Sequence, residues 1–220
     1  MSPNELPDNA PATDLFPQFS GELYVMVSGE LAGLTDEQLD FESDRWGWSE
    51  WSIRRNLSHM ASGDYRWLWQ RWGQELFPNG LANGKEIDRM LDSPYDRRLD
   101  EKLYWELDVL LAKLREALDF TWSVLEKETA GSCRTREIET NNGGMWPGLM
   151  DAGYSGIRPH DSDSNKLYIT LEATFRHRYF EYITHLYNIQ RLKRAQGLAA
   201  VVKIPMEGYL ALPGWDLSQP

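Results

Sequence analysis

Three side chains in this sequence have the chemistry to hold a metal ion together: His59, Glu181 and His185. His59 ends the segment Trp51-Ser52-Ile53-Arg54-Arg55-Asn56-Leu57-Ser58-His59. That segment opens on serine and continues with apolar positions, as a helix does when it carries a histidine on its buried side. Glu181 precedes His185 by four residues. Residues four apart on a helix rise about 6 Å and share a face, so both can reach one ion, whose nitrogen and oxygen donors must converge to about 2 Å from a common point. His177 lies eight residues before His185, about 12 Å along a helix axis, so those two cannot chelate the same ion. Two pairings therefore remain on this segment, Glu181 with His185 or His177 with Glu181. The first leaves Tyr182, Ile189 and Leu192 to flank a buried face.

Each candidate also has a plainer role. His59 alone on an apolar face is a hydrogen-bonded core histidine, and Glu181 is a solvated carboxylate or a partner of Arg178 or His177. Asp64 reads as a surface charge, with the orientation of an imidazole as its alternative. Arg176 and Arg178 read as a solvated face, with anion binding as theirs. His160, in a glycine- and proline-rich stretch, is expected to face water. Cys133 has no local nucleophile signature and reads as a structural thiol. The stretch Gly80-Leu81-Ala82-Asn83-Gly84-Lys85-Glu86 has neither the spacing of a phosphate loop nor a hydroxyl residue after its lysine, and no strand precedes it.

The elements that must position these groups are helices. Residues 1–13, rich in Pro, Asn and Asp, read as a disordered lead-in. Leu15, Phe16, Phe19, Leu23, Met26, Val27 and Leu31 recur at helical spacing until Gly33 stops the pattern. Thr35-Asp36-Glu37-Gln38 is a capping-box pattern, with Leu39 expected to pack inward. Ser49 or Ser52 caps a second helix that buries Ile53, Leu57, Met60, Trp67 or Leu68, and Trp72, and ends near Phe77-Pro78-Asn79-Gly80. A third helix runs from about residue 100 to 127, with Leu103, Leu107, Leu110, Leu114, Leu118 and Leu125 as its seam. Residues 129–166 show no comparable pattern and read as a long loop that serves as a lid, an insertion or a region of short elements. A fourth helix runs from about residue 167 to 195 and ends at Gly197. The expected fold is all-α, a four-helix bundle over residues 14–197 with a loop insertion between helices 3 and 4. Residues 198–220 form a C-terminal extension packed on it.

At 220 residues the chain is long enough for a sizeable core. Its 23 basic and 34 acidic residues give a net charge of −11, which repels a phosphate backbone, so nucleic acid is not an expected partner. The best basic cluster, Arg191, Lys193 and Arg194, complements a helix C-terminus. No apolar run is long enough to cross a bilayer, and the opening residues have neither a basic n-region nor an apolar h-region. With the single Cys133 excluding an internal disulfide, a cytoplasmic protein is expected. Ten tryptophans are many for this length. Trp46, Trp48, Trp51, Trp67, Trp69 and Trp72 surround or occupy the second helix, mostly as packing, with a minority available to line an aromatic mouth for a small organic substrate.

Two short segments carry a family resemblance. Trp51-Ser52-Ile53 followed by five residues and His59, placed after Leu34-Thr35-Asp36-Glu37-Gln38-Leu39, resembles the opening of DinB/YfiT-like proteins. His185-Leu186-Tyr187-Asn188-Ile189-Gln190-Arg191-Leu192 is similar to that family's last helix. The resemblance spans roughly residues 15–197. It implies a four-helix bundle that binds a divalent metal (Zn, Ni, Fe or Mn) through one histidine of the second helix and a histidine pair of the last. Carried over residue by residue, the ligands are His59, Glu181 and His185, with Glu181 standing where the family has a histidine and Asn188 where it more often has glutamine. Two histidines and one carboxylate form a competent ligand set for zinc or non-haem iron. The resemblance further implies an enzyme that activates a low-molecular-weight thiol or a water on a small organic substrate, as an S-transferase, isomerase or hydrolase. The other reading is a non-catalytic bundle that binds a small molecule or partner with a degenerate metal site. A homodimer is expected on either, since bundles with apolar outer faces often pair about a two-fold axis.

Overall fold

The computed structural model describes residues 6–220. In chain order the main elements are α1 (Glu22–Leu31), α2 (Asp36–Leu39), α3 (Ile53–Asp64), α4 (Gly73–Leu76), α5 (Gly84–Leu91), α6 (Leu107–Leu125), α7 (Ala130–Thr135), β1 (Glu137–Asn141), α8 (Trp146–Asp151), β2 (Ile157–Pro159), β3 (Lys166–Thr170) and α9 (Leu171–Ala195). The described residues are mostly helical but include a three-stranded antiparallel sheet in the order β1-β3-β2, which corrects the all-α expectation. By Cα proximity the chain divides into two compact units. One comprises the residues through Pro17, Trp122–Glu181 and Met206–Leu217. The other comprises Gln18–Thr121, Tyr182–Pro205 and Ser218–Pro220.

The first unit holds the sheet. Residues 129–166 are not a loop: they carry α7, β1, α8 and β2. In β3, Leu167 and Ile169 point into the core while Lys166 and Tyr168 alternate outward, the period-2 pattern of a half-buried strand. This strand occupies the start assigned to the last helix, which instead begins at Leu171. Thr170 Oγ1 accepts from Ala173 N there, as an N-cap side chain does. Across the sheet, Arg158 pairs with Glu137 at 2.8 Å and Lys166 with Glu139 at 2.7 Å. The lead-in read over residues 1–13 lies outside the described residues at its first five positions. From Leu6 onward the chain is tied down, with Ala12 N donating to Glu128 O, Ala130 N to Ala10 O, and Ala12 fully buried.

The second unit holds His59 and His185. Ser52 caps α3, its Oγ accepting from Arg55 N. Ile53, Leu57, Met60 and Ala61 are fully buried, and burial of a large aliphatic side chain contributes roughly 1.5–3 kcal/mol. Beyond Asp64 the helix continues as a π-helical stretch, Tyr65–Arg71, in which Trp72 N donates to Trp67 O, five residues back. That widening buries Leu68 and Trp72 and leaves Trp67 at the edge. Thr35 and Gln38 form the reciprocal capping box of α2, and Leu39 is buried. The guanidinium of buried Arg54 then bonds Asp36 and Asp40, each at 2.6 Å, which fixes α2 to α3.

On α6 the seam holds at Leu110, Leu114, Leu118 and Leu125, while Leu103 is 68% exposed. The helix begins only at Leu107, so Leu103 lies outside its periodicity. Asp64 is not a surface charge. It is fully buried, and its Oδ2 accepts from Thr121 Oγ1 of α6 at 2.8 Å and from Tyr182 of α9 at 2.9 Å. The last helix ends at Gly197, whose φ of +75° suits a residue lacking Cβ, with Gly197 N donating to Arg194 O and Leu198 N to Lys193 O.

Candidate metal centre

His59, Glu181 and His185 each offer one ligand atom, and the three atoms lie within 4.8 Å of one another. Glu181 and His185 sit one turn apart on α9, as their spacing requires, and the imidazole rings of His59 and His185 lie 4.6 Å apart, centroid to centroid. Among the described residues this is the group of histidine, cysteine and carboxylate side chains whose geometry can hold an ion.

The orientation of each imidazole follows from its Nδ1 partner. His59 Nδ1 lies 2.9 Å from the carbonyl oxygen of Arg97. A carbonyl oxygen only accepts, so Nδ1 carries a proton and donates. His185 Nδ1 lies 2.7 Å from Asn56 Oδ1. The Asn56 amide cannot be turned the other way round, because its Nδ2 donates to Trp51 O at 3.1 Å and to Ser52 O at 2.9 Å. Nδ1 of His185 is therefore also a donor. Metal-binding histidines are oriented in this manner, one ring N–H held by a carbonyl or amide oxygen and the other nitrogen left basic. Two imidazoles held in this way stand beside the Glu181 carboxylate, the donor types of a two-histidine, one-carboxylate metal set.

The segment that supplies the Arg97 carbonyl is stitched along α3. Leu99 N donates to Ser58 Oγ at 3.0 Å, and Ser62 Oγ donates to the same Arg97 oxygen at 2.8 Å. Arg97 adopts φ +56°, a left-handed conformation uncommon for a residue with a Cβ. Above the rings, the Trp51 indole is nearly parallel to His185 at 6.2 Å and tilted against His59 at 5.3 Å. Trp48 and Trp51 line a cleft of about 230 Å³ that also takes in His185. The aromatic mouth thus forms from the loop ahead of α3, whereas Trp72 is core.

Other candidate residues are placed differently. His177, the alternative partner of Glu181, is not in the group that His59, Glu181 and His185 form. Its Nδ1 meets the Tyr209 hydroxyl and its ring packs on Trp146 at 4.8 Å. Burial, with the negative charge of Glu181 adding to it, holds the Tyr209 phenol well above its ordinary range, so this dyad stays protonated at the oxygen. Arg178 is buried, with its guanidinium 3.8 Å from the Glu181 carboxylate. Arg176 bonds Glu172 and Ser155 O, and burial lowers its pKa, so neither arginine forms a solvated face. His160 is largely covered by Tyr168, at 4.7 Å, and by Glu139. Cys133 is fully buried, and burial pushes its thiol up to about 12, as befits a structural role. The basic cluster is engaged internally: Lys193 with Glu30, Arg191 with Asn188 and Ser218, and Arg194 with Gln219.

Two contributors carry no motif of their own. Asn56 is a helix residue three before His59, and Arg97 acts through its backbone. The neighbouring serines of α3 are the only sequence sign that a polar strand of chain runs along that face. No helix among the described residues is long and apolar enough to cross a membrane. Comparison with protein-family models, with curated proteins and with solved structures finds no match for this chain.

Proposed function

We propose that this chain is a divalent-metal protein of the DinB/YfiT-like four-helix type, with His59, Glu181 and His185 as its ligands and a small organic substrate in the adjoining cleft. The bundle reading is supported by the polar ties within one unit: Asp64 links α3, α6 and α9, and Glu30 links α1 to α9. The metal reading rests on one observation, the convergence of His59, Glu181 and His185, whose three ligand atoms lie inside 4.8 Å of one another. Arg97 O and Asn56 Oδ1 orient the two imidazoles through Nδ1. Atoms around one ion, bonded at about 2 Å, sit roughly 3–4 Å apart, so capture requires only a modest inward swing of flexible side chains.

A divalent ion (Zn, Ni, Fe or Mn) supplies Lewis acidity and makes a water or a low-molecular-weight thiol a better nucleophile at neutral pH. The chain's own residues orient and enclose. Arg97 O and Asn56 Oδ1 hold the imidazoles, and Trp51 lies against both rings and excludes water from that side. Arg178 sets a positive charge beside Glu181. That last contact also favours a second reading: a guanidinium 3.8 Å away can neutralise Glu181 in place of an ion, leaving a binding protein without catalysis.

The two readings separate on the metal content of the purified protein. Stoichiometric metal in the wild type, lost in both His59→Ala and Glu181→Ala, supports the metalloprotein. Protein that stays metal-free when expressed and purified with each candidate metal, with unchanged stability in both variants, leaves the binding protein.

A further inference from the structure

The cleft beside the two imidazoles has a chemical preference of its own. Its walls include Trp48, Trp51, Asn56, Arg97, His185 and Asn188. At about 230 Å³ it falls below the usual range for drug-sized ligands, roughly 300–1,000 Å³, and so suits a small molecule. Its aromatic faces are already attended by guanidinium groups. Arg97 and Arg98 each lie 5.4 Å from the Trp51 ring, and Arg191 lies 4.6 Å from Trp48. A ligand cation would meet guanidinium groups at both indoles, with Glu50 as the carboxylate on the lining and with Asp96 and Glu101 paired to Arg97 and Arg98.

The polar groups point the same way. Arg191 donates to Asn188 Oδ1, which turns the amide NH₂ of Asn188 into the group a ligand can meet. The Arg97 side chain is 61% exposed, with its Nε bonded to Asp96 at 2.9 Å. Such an exposed pair is weak, and a guanidinium has five N–H donors. Arg97 also holds the left-handed backbone whose carbonyl orients His59. One strained residue thus ties the imidazole to the guanidinium at the cleft.

We infer that this cleft binds the carboxylate of a small organic acid, with the Arg97 guanidinium and the Asn188 amide as donors and the indoles of Trp48 and Trp51 as walls for its organic part. The planar fork of arginine matches a carboxylate in two parallel hydrogen bonds. This deepens the function proposed above, since His185 belongs to both sites and the acid would lie beside the ion.

The test uses the full chain stripped of metal with EDTA, so that a carboxylate cannot be held by an ion. Saturation-transfer NMR titrations compare phenylacetate, its neutral isostere phenylacetamide, and inorganic phosphate as competitor. Wild type is expected to prefer phenylacetate over the amide by about tenfold or more, as a charge-assisted hydrogen bond should give. Arg97→Gln should abolish the preference, Arg97→Lys should keep part of it, and phosphate should not displace the acid. Equal binding of acid and amide, no detectable binding of the acid, a preference that survives in Arg97→Gln, or displacement by phosphate would each overturn the inference. Metal analysis of the same wild-type preparation before stripping keeps this outcome separate from failure of the metal reading.

Discussion

At Glu30, a fully buried carboxylate meets Lys193 Nζ and Gln190 Nε2, each at 2.6 Å, and the amides of Val201 and Val202 at 2.8 and 2.7 Å. Along the same last helix, His185 faces His59, and each ring is held through Nδ1 by a carbonyl or amide oxygen. In the first cluster a negative charge is answered by a positive charge and three N–H donors from the chain itself. In the second, two imidazoles and the Glu181 carboxylate bring one ligand atom each within 4.8 Å of one another. Buried polar groups are stable when donors and acceptors match within the protein. Glu30 therefore reads as a fastener of the C-terminal segment, whereas the imidazole pair belongs to the group proposed above to hold an ion.

The sharpest way to break this contrast is to remove one partner on each side. Glu30→Gln leaves Lys193 buried without its counter-charge and should cost about 3–5 kcal/mol, read from urea or thermal unfolding, with metal content per folded protein unchanged. Asn56→Ala should do the reverse. Losing the group that holds the His185 tautomer should weaken metal binding by about 10–100-fold in a competition titration, with a smaller effect on folding.

Acid should act on the first cluster in a defined direction. Burial raises the Glu30 pKa, but the hydrogen bonds from Lys193, Val202, Val201 and Gln190 outweigh it and leave the group below its ordinary value. A carboxylate depressed in the folded state adds stability that is fully present above its unfolded pKa, about 4.3, and is lost as the pH falls through the folded value. Urea midpoints measured from about pH 6 down to about pH 3 should fall more steeply for wild type than for Glu30→Gln. Smallest of all, Arg97→Gly relieves a left-handed arginine at φ +56° and should change stability by no more than about 1 kcal/mol in the favourable direction, while abolishing the carboxylate preference of the cleft.

What could be read from the sequence was local. The capping box at Thr35, the cap at Ser52 and the glycine stop at Gly197 are each set by a few consecutive residues, and each forms in the structure. The three candidate ligands came from the family resemblance, with spacing alone leaving His177 as an alternative partner of Glu181, and the structure brings one ligand atom from each of the three within 4.8 Å. The sheet was not. β2 has three residues and ends in proline, and β3 runs directly into α9, so its five-residue alternation is masked by the helical pattern that follows. Nor was the orienting shell legible, for a physical reason. Arg97 contributes a backbone oxygen, which any residue type possesses, and its unusual φ falls on a residue that gives no sign of it. Asn56 acts across 129 positions of sequence, and only the folded chain brings its amide to His185.

The central claim is that the Nε2 atoms of His59 and His185 and the carboxylate of Glu181 surround one divalent ion. Anomalous diffraction at the absorption edge of zinc, from crystals grown with one equivalent of zinc, addresses it directly. The account predicts a single peak bonded to those three groups at about 2.0–2.2 Å, with the Nδ1 contacts to Arg97 O and Asn56 Oδ1 intact. Zinc at other residues, or an imidazole pair that excludes it while Arg178 closes on Glu181, would contradict it.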